Sequence, residues 1–430
     1  MTTPATAPAR TPVSARRAIA AATIGNALEW FDLAVYALMA TYIGSTFFPE
    51  GAPGAQLVQA YAVFGVTYLI RPLGGLVLGA YADRHGRKKA LVLTIWLMVA
   101  GTFLMAIMPG YDTLGMAAPL AVVVARLIQG FAAGGEFGAA TSFLVEHNEQ
   151  RKGFLGSFQF ASQGLATLMA AGFATGLTVV LSDEAMTSWG WRVPFVFGLL
   201  IGPVGYYIRR HVDESPAVRE SPNDDANDGG RSPMLAVFRD HWGGLLMAGG
   251  ALVVSTALNF ILQYLPTFGI EQLGLDDSLS FTALLITGVI LTFLTPFVGL
   301  LADRFGRLPI MVPAALLIGG GVVPLFVWVT HVPSFLTLAT AMTVLGILKA
   351  CYFGALPSVM SDVFPARARA TGLSFSYNTA VGVFGGFTPT IAAALVAGTG
   401  SQISPGYYLL AVSFVSLAAL AAAFRTRGVR

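Results

Sequence analysis

The chain is a succession of long apolar stretches separated by short polar segments. It has 430 residues, of which 55% are hydrophobic and 11% are charged, whereas a soluble domain carries about 25% charged residues. Many stretches approach the roughly 20 residues that a helix needs to cross a bilayer. They are continuous, which argues against the short alternating segments of a transmembrane β-barrel. We therefore predict an all-α membrane protein.

About twelve membrane spans fit this pattern. They are predicted at residues 18–42, 57–80, 90–109, 116–141, 156–181, 191–209, 242–268, 281–302, 309–330, 334–358, 369–398 and 406–425. A polar stretch rich in Pro, Gly and charge separates the sixth span from the seventh, which indicates a linker. The predicted regions are a disordered cytoplasmic N-terminus at 1–17, a six-helix bundle at 18–210, a cytoplasmic linker at 211–240, a second six-helix bundle at 241–425 and a cytoplasmic tail at 426–430.

The distribution of charge between alternate loops predicts the orientation of the chain. Arginine and lysine gather in one set of loops, and the other set carries mainly acids, among them Glu50, Asp183 and Asp277. Arg192 is the one basic residue near the acidic side. Because basic loops stay in the cytoplasm, we predict that both termini are cytoplasmic.

A charged motif occurs twice, after the second and the eighth predicted span. The first copy is GAYADRHGRK at 79–88 and the second is GLLADRFGRL at 299–308, which predicts two homologous halves. We expect ion-pair latches at these loops, although the basic residues alone would also satisfy the positive-inside rule. The predicted cytoplasmic gate contains Gly79, Asp83, Arg84, Gly86, Arg87, Glu146, Asp303, Arg304 and Arg307. The first copy is the more basic, so Asp83→Asn should impair transport more than Asp303→Asn.

Small residues at every fourth position predict close contacts between helices. This spacing occurs in three spans. The residues are Gly75 and Gly79 in the second span, Gly130, Gly134 and Gly138 in the fourth, and Gly382 and Gly386 in the eleventh.

The twin GxxxDRxGR loops on a six-plus-six plan resemble the major facilitator superfamily. Further motifs are similar to the metabolite:proton symporter family, and they are GNALEWFD at 25–32, RPLGG at 71–75, RLIQGF at 126–131, WGWRVPF at 189–195 and ESP at 214–216. The resemblance implies the major facilitator fold, with 12 transmembrane helices in two halves, in a bacterial inner membrane. It also implies proton-coupled import by alternating access. GGFTP at 385–389 and SPGYY at 404–408 are similar to citrate and proline/betaine members, and TFFP at 46–49 favours the citrate branch.

A few ionisable residues fall inside predicted spans, where each costs on the order of 2.5–3.5 kcal/mol on insertion scales. They are Glu29, Asp32, Arg71, Arg126, Glu136 and Lys349. Asp32 and Arg126 are predicted to pair for proton coupling, as an Asp and an Arg do at similar places in sugar-proton members of the superfamily. Asp32 would take up a proton when Arg126 moves away. Glu29 could share this proton-coupling role. The alternative for Asp32 and Arg126 is a static ion pair that helps the helices assemble.

Arg71 and Lys349 are the predicted contacts for an anionic substrate, because arginine binds a carboxylate through two hydrogen bonds and lysine acts as a point charge. A gate role for Arg71 remains open. Polar residues that would complete the substrate site, or else bond helices together, are Asn26, Tyr36, Gln129, Gln159, Gln163, Asn259, Gln263, Tyr352, Tyr377 and Asn378.

The sequence argues against an enzyme, because its five histidines lie in loops or at span ends and no phosphate loop or metal spacing occurs. A basic patch interleaved with aromatic residues would indicate nucleic-acid binding. The sequence has no such patch. We expect a monomer in membrane lipid, with no cofactor, driven by a proton gradient, with a sodium gradient as the alternative. The leading substrate class is citrate or a related di- or tricarboxylate. Proline/betaine-type osmolytes and a sodium-coupled carboxylate carrier are the alternatives.

Overall fold

The computed structural model describes residues 15–52, 54–85, 87–146, 148–200, 202–203 and 239–427. All regular secondary structure in these ranges is helical. Most of the predicted linker, the start of the N-terminal segment and the last three residues lie outside them. The predicted all-α class is therefore confirmed for the part of the chain that is described.

The first half supplies α1 to α6, some of them in two pieces. These are α1 (Ala15–Leu38, continued by Ala40–Phe47), α2 (Ala55–Leu69, continued by Arg71–His85), α3 (Arg87–Ile107), α4 (Ala117–Ala132, continued through the 3₁₀ turn Ala133–Gly135 by Glu136–Glu146), α5 (Lys152–Val180) and α6 (Val193–Gly198). Short helical turns at Tyr111–Leu114, Glu149–Arg151, Asp183–Ser188 and Gly190–Arg192 lie in the connections.

The second half supplies α7 to α12. These are α7 (Trp242–Leu273), α8 (Asp277–Phe305), α9 (Leu308–His331), α10 (Phe335–Asp362), α11 (Ala366–Ala380, continued through the π-helical turn Val381–Gly386 by Thr388–Thr399) and α12 (Ser404–Arg427). Within the described ranges, eight helices are long and apolar enough to cross a membrane, and Val92–Ile107 and Ala117–Ala132 are shorter apolar helices. The helices follow the predicted order of spans, and the predicted sixth span continues beyond the described residues.

The turn between α7 and α8 is specified by two residues. Gly274 ends α7 with a φ of 65°, a left-handed conformation that glycine adopts without strain. Asp276 then caps α8, because its Oδ1 atom accepts the amides of Ser278 at 2.9 Å and Leu279 at 3.3 Å. Together with the Ser278 hydroxyl, which donates at 2.5 Å, these bonds hold the pKa of Asp276 below its usual value.

Close helix contacts occur along α4, as the glycine spacing predicted. A Cβ atom on Gly130 would overlap the carbonyl oxygen of Thr67, and one on Gly134 would overlap that of Arg71. One on Gly138 would overlap the carbonyl oxygen of Ala370 in the other half. The backbones of α4, α2 and α11 therefore meet at distances that no larger residue allows.

The prediction for the second span was wrong at Gly79. A Cβ atom there would meet nothing within 4 Å, whereas one on Gly74 would overlap the carbonyl oxygen of Phe131. Gly79 is exposed, because it lies beyond the part of α2 that packs against α4. The close approach in α2 is therefore made at Gly74 and at the predicted Gly75, whose amide nitrogen lies 2.6 Å from a Cβ atom placed on Gly134.

The two halves meet along α5 and α8 and along α2 and α11. A Cβ atom on Gly164 of α5 would lie 2.7 Å from the Leu291 backbone, and one on Gly288 of α8 would lie 2.7 Å from Leu168. On the other seam, a Cβ atom on Gly382 would lie 3.3 Å from the Tyr68 carbonyl oxygen. The predicted contact at Gly382 and Gly386 is confirmed here. The halves consequently touch along two seams.

Candidate functional site

Asp32 and Arg126 form a buried ion pair between α1 and α4. The Nη1 atom of Arg126 lies 3.2 Å from Oδ2 of Asp32, and both side chains are fully buried. The same Nη1 atom donates to Oε1 of Gln129 at 2.7 Å. Gln129 donates through Nε2 to Oδ2 of Asp32 at 2.6 Å. The predicted pairing is thus present, and Gln129 joins the pair.

Thr102 of α3 completes this cluster. Its hydroxyl donates to Oδ1 of Asp32 at 2.9 Å and accepts Nε2 of Gln129 at 3.0 Å. Thr102 was not predicted, because a single threonine in an apolar helix is common and carries no distinguishing signal. Asp32 therefore receives hydrogen bonds from α3 and α4 as well as the arginine's charge.

Arg126 and Arg71 each keep part of the guanidinium group without a hydrogen-bond partner. The unpartnered atoms are Nε and Nη2 in both residues. Arg126 lies over the ring of Tyr36, with 3.8 Å from Cζ to the ring centroid. Arg71 lies 4.5 Å from the ring centroid of Tyr68 and 5.3 Å from that of Trp30. Aromatic faces, which attract cations, therefore hold both groups inside the first half.

Lys349 of α10 is a buried cation in the second half. Its Nζ atom donates to Oδ1 of Asn259 on α7 at 2.5 Å and lies 4.9 Å from the ring centroid of Phe353. Gln263, one turn along α7, is buried and its Oε1 atom has no hydrogen-bond partner. The structure thus brings Lys349 and Asn259 together as a polar site opposite the arginines' half.

The other predicted polar residues bond helices together in this conformation. Tyr36 donates to the carbonyl of Ala60 at 3.0 Å, and Tyr352 to that of Ala251 at 2.7 Å. Within the first half, Asn26 donates to the carbonyl oxygen of Gln159 at 3.1 Å.

Two of the polar contacts cross between the halves. Gln163 donates to the hydroxyl of Tyr377 at 3.2 Å, and Asn378 donates to the carbonyl of Gly134 at 2.9 Å. Glu29 is half-buried on α1. The side chain of Glu136 is not described.

A layer of four aromatic rings, which we call the aromatic layer, crosses between the halves. Phe137 of α4 stacks on Tyr377 of α11 with centroids 3.4 Å apart, and Phe160 of α5 stacks on Phe353 of α10 at 4.0 Å. The two pairs adjoin, because Phe137 and Phe160 are 6.1 Å apart. All three phenylalanines of this layer were missed, since a phenylalanine in a membrane helix carries no distinguishing signal.

We call the end of the bundle that holds Lys152, Asp303, Arg307 and Asp362 the basic end. Asp303 accepts the amides of Gly153 and Phe154 at 2.7 and 2.9 Å. Asp362 lies 3.5 Å from Lys152 of the first half and also binds Arg307. Asp303 and Asp362, both in the second half, therefore bind the first turn of α5.

Among the remaining predicted gate residues, those whose side chains are described lie outside these contacts. Arg84 is exposed, and Arg304 is exposed with its guanidinium 5.3 Å from the ring centroid of Phe305. The side chains of Asp83, Arg87 and Glu146, and the whole of Gly86, lie outside the described part of the chain.

The opposite end, which we call the acidic end, is also closed between the halves. Tyr42 donates to Oδ2 of Asp277 at 2.7 Å, and Thr41 donates to Oε1 of Glu271 at 3.2 Å. Deeper in, Tyr61 donates to the hydroxyl of Thr267 at 3.0 Å. Since hydrogen bonds join the halves at both ends, the conformation is occluded.

The comparisons with known proteins agree with this architecture. The sequence model of the Major Facilitator Superfamily matches residues 22–375 and 278–430. The chain belongs to the Major Facilitator Superfamily. It is accordingly a multi-pass membrane transporter and not an enzyme.

Within the superfamily, the chain is similar to two groups of transporters. It is 38% identical over 413 residues to a citrate-proton symporter of Klebsiella pneumoniae, covering 96% of this chain and 92% of the relative. A citrate-proton symporter of Salmonella typhi is 37% identical, with 95% and 93% covered. A proline/betaine transporter of Escherichia coli is 33% identical, with 94% and 82% covered. The predicted resemblance to metabolite:proton symporters is thereby confirmed.

Solved structures of this superfamily share the fold. A D-xylose-proton symporter superposes with a TM-score of 0.71 at 20% identity, covering 96% of this chain and 98% of that one. The xylose transporter of E. coli in a partially occluded inward-open conformation gives a TM-score of 0.72 at 18% identity, with 96% and 98% covered. The predicted major facilitator fold is thus confirmed.

Proposed function

We propose that this protein imports a small carboxylate, citrate or a related di- or tricarboxylate, together with protons. It would work by alternating access in a bacterial inner membrane, with the basic end in the cytoplasm. The basic end carries the arginines and lysines that favour that side.

The main support for this proposal is the balance of charge inside the bundle. Among the described residues, the buried charged side chains are the acid Asp32 and the bases Arg71, Arg126 and Lys349. Charges at this depth need a partner or a function, because hydrocarbon does not solvate them. Among these described, fully buried side chains the bases outnumber the acid, which supports an anion as the missing partner. The names of the citrate-proton symporters among the relatives support the same class.

The second candidate is an osmolyte symporter, which the proline/betaine relatives favour. A zwitterion such as betaine brings one positive charge for each negative charge. It would leave the excess of buried cations uncompensated. A carboxylate with no cationic group compensates that excess better.

Asp32 is the proposed carrier of the coupled proton. In the occluded conformation its carboxylate is held by Arg126, Gln129 and Thr102. A substrate anion beside Arg126 would compete for the guanidinium charge, and a proton on Asp32 would then replace that charge. Sodium at the carboxylate is the alternative.

The membrane potential limits the stoichiometry. At about 100 mV, inside negative, each imported negative charge costs roughly 2.3 kcal/mol. A trianion therefore needs about three protons merely to cancel the electrical cost of its own charge.

A ligand screen on the purified protein tests the proposal. The ligands would be citrate, tricarballylate, α-ketoglutarate, malate, shikimate and betaine, with thermal stabilisation as the readout. We expect citrate or tricarballylate to raise the unfolding temperature most, and Lys349→Ala to weaken that effect. Stabilisation by betaine alone would favour the osmolyte function instead.

A further inference from the structure

Arg71 and Arg126 present the same unused face. In each residue the unpartnered atoms are Nε and Nη2, which form one edge of the planar guanidinium group. That edge carries two parallel N–H bonds and fits the two oxygens of one carboxylate. Both side chains are at least 98% buried, with 2% and 0% exposed. Buried donors without acceptors are costly, so these edges indicate a ligand.

A third unpartnered donor lies beside them. The Tyr68 hydroxyl is buried and has no hydrogen-bond partner. Its ring lies against Arg71 and packs on the ring of Phe64. Phe64 in turn stacks on Tyr36, which lies under Arg126. Three donor groups around one region of the first half suit a ligand that offers acceptors only.

Arg126 can bind such a ligand without releasing Asp32. Its Nη1 atom serves Asp32 and Gln129, and the Nε–Nη2 edge is separate from those bonds. One guanidinium group can therefore touch the coupling carboxylate and a substrate carboxylate together.

We propose that the Nε–Nη2 edges of Arg71 and Arg126 are two carboxylate subsites, so that the substrate must carry at least two carboxylates. This inference rests on the proposed import of a di- or tricarboxylate and assigns the groups that bind two of its carboxylates. Arg126 acts as a substrate contact as well as the partner of Asp32. Tyr68 donates a further hydrogen bond to the bound substrate.

The test measures binding of a matched ligand series to the purified full-length protein by calorimetry. Tricarballylate, glutarate and butyrate share a carbon skeleton and carry three, two and one carboxylates. We expect glutarate to bind at least about tenfold more tightly than butyrate, since one charge-assisted carboxylate–arginine contact is then lost. Equal binding of glutarate and butyrate would overturn the proposal.

Arginine-to-lysine variants test the two edges, because lysine keeps the charge and loses the paired N–H bonds. Arg71→Lys and Arg126→Lys should each reduce the ratio of the glutarate affinity to the butyrate affinity by about tenfold. The matched control is Arg192→Lys, since Arg192 donates to the carbonyls of Ser188 and Met108 at the acidic end. It should leave the ratio unchanged. An unchanged ratio in Arg71→Lys would overturn the assignment, and this variant decides the matter even if Arg126→Lys does not fold.

The outcomes separate this inference from the proposed function. If carboxylates bind and are imported but their number has no effect, only the subsite assignment fails. If no carboxylate binds and betaine does, the proposed function fails and the subsites with it.

Discussion

The carboxylate of Asp303, at the end of α8, accepts the backbone amide of Gly153 in the first turn of α5 at 2.7 Å. It also accepts the next amide, that of Phe154, at 2.9 Å. The first amides of a helix have no partner within it, and the helix dipole favours an anion there. Asp303 therefore caps a helix of the other half, and this contact must break when the basic end opens.

Asp303→Ala should destabilise the closed basic end, because it removes both acceptors and the charge. We expect the rate of substrate uptake to fall by about tenfold, since hydrogen bonds to a charged group contribute about 1.5–3 kcal/mol. Uptake in proteoliposomes at matched protein levels measures this effect.

The matched control is Asp276→Asn, because Asp276 caps only its own helix and asparagine caps a helix equally well. It should transport normally.

Asp83→Asn and Asp303→Asn, measured side by side, also test the prediction that the first motif is the stronger latch. Normal uptake by Asp303→Ala would show that the cap is dispensable.

Asp362 binds cations of both halves, so its loss should cost more than the loss of either cation alone. Lys152→Ala leaves the pair with Arg307 intact, whereas Asp362→Ala leaves two neighbouring cations without their acid. We expect uptake to fall severalfold further in Asp362→Ala than in Lys152→Ala. The account would be wrong if the two variants transported equally well.

The sequence predicted the larger architecture because its signals are local. Apolar length predicted the helices, and the spacing of Gly130, Gly134 and Gly138 predicted the contacts of α4. The pairing of Asp32 with Arg126 was predictable because each charge inside a membrane needs a partner.

The finer parts of the site depend on three-dimensional packing that spacing does not encode. Thr102 reaches Asp32 from a third helix, and Phe160 meets Phe353 from the other half. The glycine prediction failed at Gly79 because a repeat every fourth residue does not show where a helix leaves its neighbour. The unused guanidinium edges also depend on the folded surroundings of Arg71 and Arg126.

The aromatic layer lies between Lys349 and the basic end. Phe353 is one helical turn from Lys349 toward Asp362, and its ring stacks on Phe160 across the halves. Phe353→Ala should open a path for water, so we expect a higher proton leak through substrate-free proteoliposomes.

A pH-sensitive dye inside the vesicles measures the leak. Phe353→Tyr, which retains the ring, serves as the control and should stay tight. If proteoliposomes with Phe353→Ala leak protons no faster than those with the unmodified protein, the aromatic layer is not a seal.

Asp32 is the residue that we propose to carry the coupled proton. Asn resembles a permanently protonated Asp, so Asp32→Asn should still bind substrate and exchange it across the membrane. It should not accumulate substrate when a proton gradient is imposed. Asp276→Asn is the control for the same change outside the site.

The most direct measurement is uptake of radiolabelled citrate, or of the best ligand in the screen, by proteoliposomes containing Asp32→Asn. Counterflow exchange and accumulation driven by a proton gradient would be measured on the same preparation. If Asp32 carries the proton, exchange continues and driven accumulation is lost. Driven accumulation at the level of the unmodified protein would show that another group carries the proton.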